Sequence, residues 1–98
     1  MTESLYQTLQ IRNKRGLHAR AAAKFVKCAE KFDAEVMVTK DDNHVSGTSI
    51  MGLMMLAASR GTSIDVRISG ADAAAALQEL QDLVSDKFGE DKETADCD

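Results

Sequence analysis

The chain contains no proline. Its sharp turns therefore fall to glycine, aspartate and asparagine, which accept or locally stabilise turn geometry. Aromatic residues are nearly as scarce, being limited to Tyr6, Phe25, Phe32 and Phe88, so the interior must be filled by aliphatic side chains, methionine and alanine. Cysteine occurs twice, as Cys28 and Cys97. The two are far apart and form no metal-ligand spacing, and pairing them would have to pin a loose C-terminal segment. Both are read as reduced thiols of a cytoplasmic protein. No apolar run approaches the roughly 18 residues that suggest a membrane span, and the opening Met1-Thr2-Glu3-Ser4 lacks signal-peptide character. A surplus of positive charge is also missing. Twelve Lys and Arg against sixteen Asp and Glu leave a net charge of −4, the wrong sign for a nucleic-acid binder.

At 98 residues, 44% apolar and 29% charged, the chain suits one ordinary globular domain with one core. Its charges are unevenly placed. Arg12, Lys14, Arg15, Arg20, Lys24, Lys27 and Lys31 make the first third basic, whereas Gly89 to Asp98 is an acidic stretch. This divides the chain into a folded domain, 1–88, and a mobile acidic tail, 89–98.

Periodicity supplies the elements. Residues 5–11 alternate as a half-buried strand. Residues 19–32 place Ala22, Phe25, Val26, Ala29 and Phe32 at helical spacing. Residues 35–40 and 44–46 flank Asp41-Asp42-Asn43 as a hairpin. Thr48-Ser49 before Ile50 to Ala58 is a helix start, with Gly61 expected to close that helix. Residues 63–69 alternate cleanly, Ile64, Val66 and Ile68 inward against Asp65 and Arg67 outward. Asp72 is expected to cap a last helix running to Phe88 with Ala73, Ala76, Leu77, Leu80, Leu83 and Val84 on its buried face. The order β-α-β-β-α-β-α suggests an α+β domain, one four-stranded antiparallel sheet covered on one face by three helices.

Chemistry concentrates in Gly16-Leu17-His18-Ala19-Arg20. The strand before and the helix after put His18 at or beside a helix start, where unpaired backbone N–H groups and the macrodipole favour an anion. Imidazole, with an unperturbed pKa of about 6.5, supplies neutral ring near pH 7 and forms covalent intermediates. Arg20 offers a planar fork of donors that fits phosphate, and the backbone N–H groups of Ala19 and Ala21 add to it. Taken singly, a histidine near a helix start is most often a surface residue and Ser49 is first a helix cap. On the short helix, Leu53 and Leu56 suit the core, but Ile50, Met51 and Met54 cannot all point inward and make an adaptable docking patch. His44 is read as a surface residue.

Two motifs, Asn13-Lys14-Arg15-Gly16-Leu17-His18-Ala19-Arg20 and Ser49-Ile50-Met51-Gly52-Leu53-Met54, together resemble HPr, the histidine-containing phosphocarrier of the bacterial phosphoenolpyruvate-dependent phosphotransferase system, and its NPr relatives of the nitrogen branch. The resemblance covers residues 5 to 88. It implies an HPr-like open-faced sandwich and a phosphoryl carrier with a phosphohistidine intermediate rather than a free-standing turnover enzyme. His18 would accept the phosphoryl group on Nδ1 from Enzyme I and pass it to an EIIA-type acceptor protein, with Arg20 steadying the phosphoryl oxygens. Ile50, Met51, Met54, Lys24 and Lys27 would meet partners, and Ser49 would be the target of a regulatory kinase and phosphatase. No cofactor, metal, nucleic acid or membrane is called for, and a transiently docking carrier works as a monomer. One departure stands out: HPr proteins commonly carry proline after the arginine of this motif, and here that residue is Ala21. This leans toward NPr-type members, and the branch stays open. The alternative function is a regulatory binding module acting by phosphorylation-dependent contact with partners. A small-ligand domain has less behind it, since no glycine-rich phosphate loop is present.

Overall fold

A computed structural model describes residues 4–89 of the chain. Four strands, β1 (Ser4–Gln10), β2 (Glu35–Lys40), β3 (Asn43–Ser46) and β4 (Ser63–Ser69), form one sheet in the order β1-β4-β2-β3 with every pair antiparallel. Three helices, α1 (Ala19–Glu30), α2 (Ile50–Met55) and α3 (Ala73–Ser85), lie with them, and a short 3-10 turn (Lys87–Gly89) ends the described chain. Strand register follows from the alternation. Ile68 stands between Leu5 and Val36, and Val66 beside Val38, so the apolar side chains share one face of the sheet, interrupted only by Gln7 opposite Val66 on edge strand β1. A slip of one residue would turn that whole row to water.

The helices cover this face. α3 rests on β1 and β4, α2 meets β3, and α1 packs against both other helices. α1 buries Ala21, Ala22, Phe25, Val26, Cys28 and Ala29, while α3 buries Ala73, Ala76, Leu80 and Val84. Leu77 and Leu83 are half-buried at its margin. Five of these ten residues are alanine, which lets the helices approach closely in a core short of aromatics. The opposite face of the sheet is polar and exposed, with Thr8 donating to Asp65 at 2.7 Å and Thr39 bonded to exposed His44 at 2.9 Å.

Three expectations need correction. Asp72 precedes α3 but makes no capping bond; its carboxylate instead accepts from the Asp33 amide at 2.8 Å, tying the start of α3 to the turn after α1. The helix expected to run from Ile50 to Ala58 stops at Met55, and Gly61 does not close it. The reversal is made by Ala57, left-handed at φ 53°, because Leu56 and Ala58 must both be buried. Phe88 lies beyond α3, in the 3-10 turn with φ 56°, yet its ring is fully buried. Cys97 and the acidic stretch after Gly89 lie outside the described residues.

Candidate functional site

The loop carrying His18 is fastened at several points. Ile11, fully buried, donates its amide to Thr62 at 2.8 Å and accepts from Gly61 at 2.8 Å. Asn13, also buried, closes the turn around Lys14 and Arg15: its Nδ2 donates to the Gly16 carbonyl at 2.8 Å, and its own carbonyl accepts from the Gly16 amide at 3.1 Å. Gly16 has φ +66°, and a Cβ there would lie 2.5 Å from the Ala58 carbonyl oxygen. Only glycine permits both the backbone conformation and the approach. Leu17 then donates its amide to that same Ala58 oxygen at 2.8 Å and buries its side chain. The loop after α2 thus holds the loop before α1.

His18 follows as the N-cap of α1, in extended backbone (φ −81°, ψ −178°), and its side chain does not cap the helix. Its carbonyl accepts the first intrahelical bond, from the Ala22 amide at 2.8 Å. The amides of Ala19, Arg20 and Ala21 therefore precede the helical ladder and point from its positive end. The His18 side chain is half-buried, whereas Ala19 and Arg20 are exposed and Ala21 is buried. A partly fixed imidazole, an exposed guanidinium and three helix-start amides on consecutive residues can hold a tetrahedral anion.

Along α1 and its C-cap, Arg20, Lys24, Lys27 and Lys31 recur at helical spacing and form one basic stripe. Lys27 is exposed; Lys24 is half-buried, its Nζ donating to the Phe88 carbonyl at 2.6 Å. Lys31 pairs with Glu79 of α3 at 3.3 Å. Cys28 lies beside this stripe, and burial pushes its thiol pKa up, which disfavours the reactive thiolate.

On α2, Ser49 does cap: its Oγ accepts from the Gly52 amide at 3.0 Å. Leu53 and Leu56 are buried, while Ile50, Met51 and Met54 are 40%, 71% and 43% exposed. Met55, 75% exposed, belongs to the same patch and was missed by sequence reasoning, although a six-residue helix that buries Leu53 must turn it outward. Sequence reasoning also missed the Asn13 clamp, since a buried asparagine looks like any loop asparagine. The Ala58 carbonyl leaves no sequence signal at all. Among the described residues, no cluster of three or more His, Cys, Asp or Glu is placed to hold a metal ion. No described helix is long and apolar enough to cross a membrane.

Residues 5–86 match a family model described as the PTS HPr component phosphorylation site. The phosphocarrier protein HPr of Neisseria meningitidis serogroup A is 55% identical over 86 residues, spanning 88% of this chain and 97% of that protein. The phosphocarrier protein NPr of Shewanella violacea is 42% identical over 86 residues, spanning 88% and 94% respectively. Among solved structures, HPr-C-His from Thermoanaerobacter tengcongensis superposes with a TM-score of 0.85 at 43% identity, over 90% of this chain and 99% of that one.

Proposed function

The chain belongs to the HPr family of phosphotransferase-system phosphocarriers, and on that premise we propose that His18 is its phosphorylated residue. The observation that carries this is the position of His18 as an N-cap whose ring does not cap, one residue before the helix-start amides and two before Arg20. The Nδ1 lone pair of neutral imidazole attacks phosphorus on phosphorylated Enzyme I as the bond to the donor breaks. The phosphoryl group then leaves His18 for a nucleophile on an EIIA-type acceptor by the same route. Because the transition state spreads charge over three equatorial oxygens, positioning and charge stabilisation supply the rate. Arg20 and the amides of Ala19 and Ala21 are suited to both.

Docking falls to the Ile50, Met51 and Met54 patch, with Lys24 and Lys27 attracting acidic surfaces. Ser49 is a modification site at the cap of α2, open to a serine kinase and phosphatase. The carrier works as a monomer in the cytoplasm, its folded domain being 1–88 and its tail 89–98. The test is intact mass after incubation with phosphoenolpyruvate and Enzyme I, for wild type and His18→Ala. One acid-labile phosphoryl group, absent from the variant, supports the assignment; equal uptake by the variant sinks it. Running the sugar-branch and nitrogen-branch Enzyme I in parallel decides the branch. The exposed methionines also favour a second reading, a module that regulates partners by contact. Binding to such a partner should then change when His18 is phosphorylated.

A further inference from the structure

Three of the five methionines of the chain fall on the six residues of α2. That helix buries only Leu53. Met51 and Met55 are the two most exposed large apolar side chains among the described residues, and Met54 is less exposed. Met51 and Met55 are four residues apart and so are neighbours on one side of the helix, with Met54 three residues from Met51. A thioether is oxidised through a sulfur lone pair, so reaction follows access to the sulfur. Elsewhere in the described chain, Met37 is half-buried in β2. Cys28 is buried, and its thiol is pushed away from the thiolate that an oxidant attacks. What holds α2 is separate from these sulfurs: the buried Leu53 side chain, and the Ser49 Oγ that accepts from the Gly52 amide at 3.0 Å.

We infer that Met51 and Met55, with Met54 following more slowly, form a reversible oxidation site for peroxides that turns the apolar patch of α2 polar while leaving the fold intact. In the forward step a sulfur lone pair attacks one peroxide oxygen, and the S–O bond forms as the O–O bond breaks. Sulfur loses two electrons and the peroxide gains them. The proton of the transferred oxygen passes to the departing oxygen, which leaves as water or an alcohol. In the return step a dithiol, brought by a methionine sulfoxide reductase, is oxidised to a disulfide, and the sulfoxide oxygen leaves as water. A flexible apolar side chain thereby becomes a polar one, and a partner that buries it must desolvate the new oxygen. The modification rests on the geometry of α2; its effect on docking rests on the proposed carrier function.

The test treats the full chain with dilute hydrogen peroxide and follows each methionine by peptide mass. Met51 and Met55 should take up one oxygen each at least about threefold faster than Met37, and the urea midpoint of the product should stay within about 0.3 M of the parent. Equal rates at Met37 and Met51, or a larger fall in the midpoint, overturn the site. With Enzyme I as phosphoryl donor, oxidation should raise KM about three- to tenfold with kcat unchanged, and the two stereospecific methionine sulfoxide reductases should restore it. An unchanged KM, or one the reductases do not restore, overturns the switch. In a Met51→Leu, Met54→Leu, Met55→Leu variant, whatever its own KM, peroxide should produce no further change; a rise there places the effect elsewhere and also overturns the switch. No phosphorylation of the untreated chain would instead overturn the carrier reading, and the docking effect with it, while the peptide masses still decide the oxidation site.

Discussion

Gly16→Ala tests whether the site loop is held by its contact with the loop after α2. Two costs are expected. The residue sits at φ +66°, where a side chain costs about 1–2 kcal/mol in the folded state, less about 0.4–1 kcal/mol returned through a stiffer unfolded chain. The new Cβ would also stand 2.5 Å from the Ala58 oxygen and 2.9 Å from the Ser59 Cα. Both are backbone atoms, so the loop must retreat. Retreat breaks the Leu17 to Ala58 hydrogen bond, about 1 kcal/mol, and uncovers part of the Leu17 side chain, about another 1 kcal/mol. The sum is about 3 kcal/mol. Gly61→Ala is the control, since Gly61 has φ +90° but nothing within 4 Å of its would-be Cβ, leaving a cost of about 1 kcal/mol. Urea denaturation followed by far-ultraviolet circular dichroism suits a chain without tryptophan. With a slope of about 1–2 kcal/mol per M, the Gly16→Ala midpoint should fall by about 1.5–3 M and that of Gly61→Ala by about 0.5–1 M. Equal shifts for the two variants would refute the clash and, with it, the claim that Ala58 holds the His18 loop.

Ser49→Ala removes the oxygen that accepts from Gly52 at 3.0 Å and should cost about 1 kcal/mol in the same assay; no loss would mean the cap is not stabilising. Ala57→Gly relieves a left-handed alanine and should raise stability by about 0.5–1 kcal/mol, whereas a destabilised variant would show that the turn depends on the alanine methyl. Met51→Ser with Met55→Ser alters two largely exposed side chains and should leave the unfolding free energy in urea within about 0.5 kcal/mol of the parent. It should nonetheless slow phosphorylation by Enzyme I, seen as a higher KM; an unchanged KM would remove those two side chains from the proposed docking surface.

The sequence by itself determined the order of elements, because a two-residue period in β4 and a 3.6-residue period in α1 each bury one face in only one way. It also determined that His18 stands at a helix start, since the change of period falls there, and that Ser49 caps α2, since capping is a contact within four residues. Where the outcome depended on residues distant in the chain, only the tertiary structure decided. Asp72 gave up its cap because the Asp33 amide lies within reach once α1 and α3 pack. α2 ended at a left-handed alanine, and not at the available glycine, because Leu56 and Ala58 are both drawn into the core. Phe88 left the helical path and still filled the core, which brought its carbonyl to Lys24. The loop that carries His18 is tied to the loop after α2 through a backbone carbonyl of Ala58. Every residue has such a carbonyl, so side-chain pattern encodes local geometry and burial, while the partners of the main chain emerge only when distant segments meet.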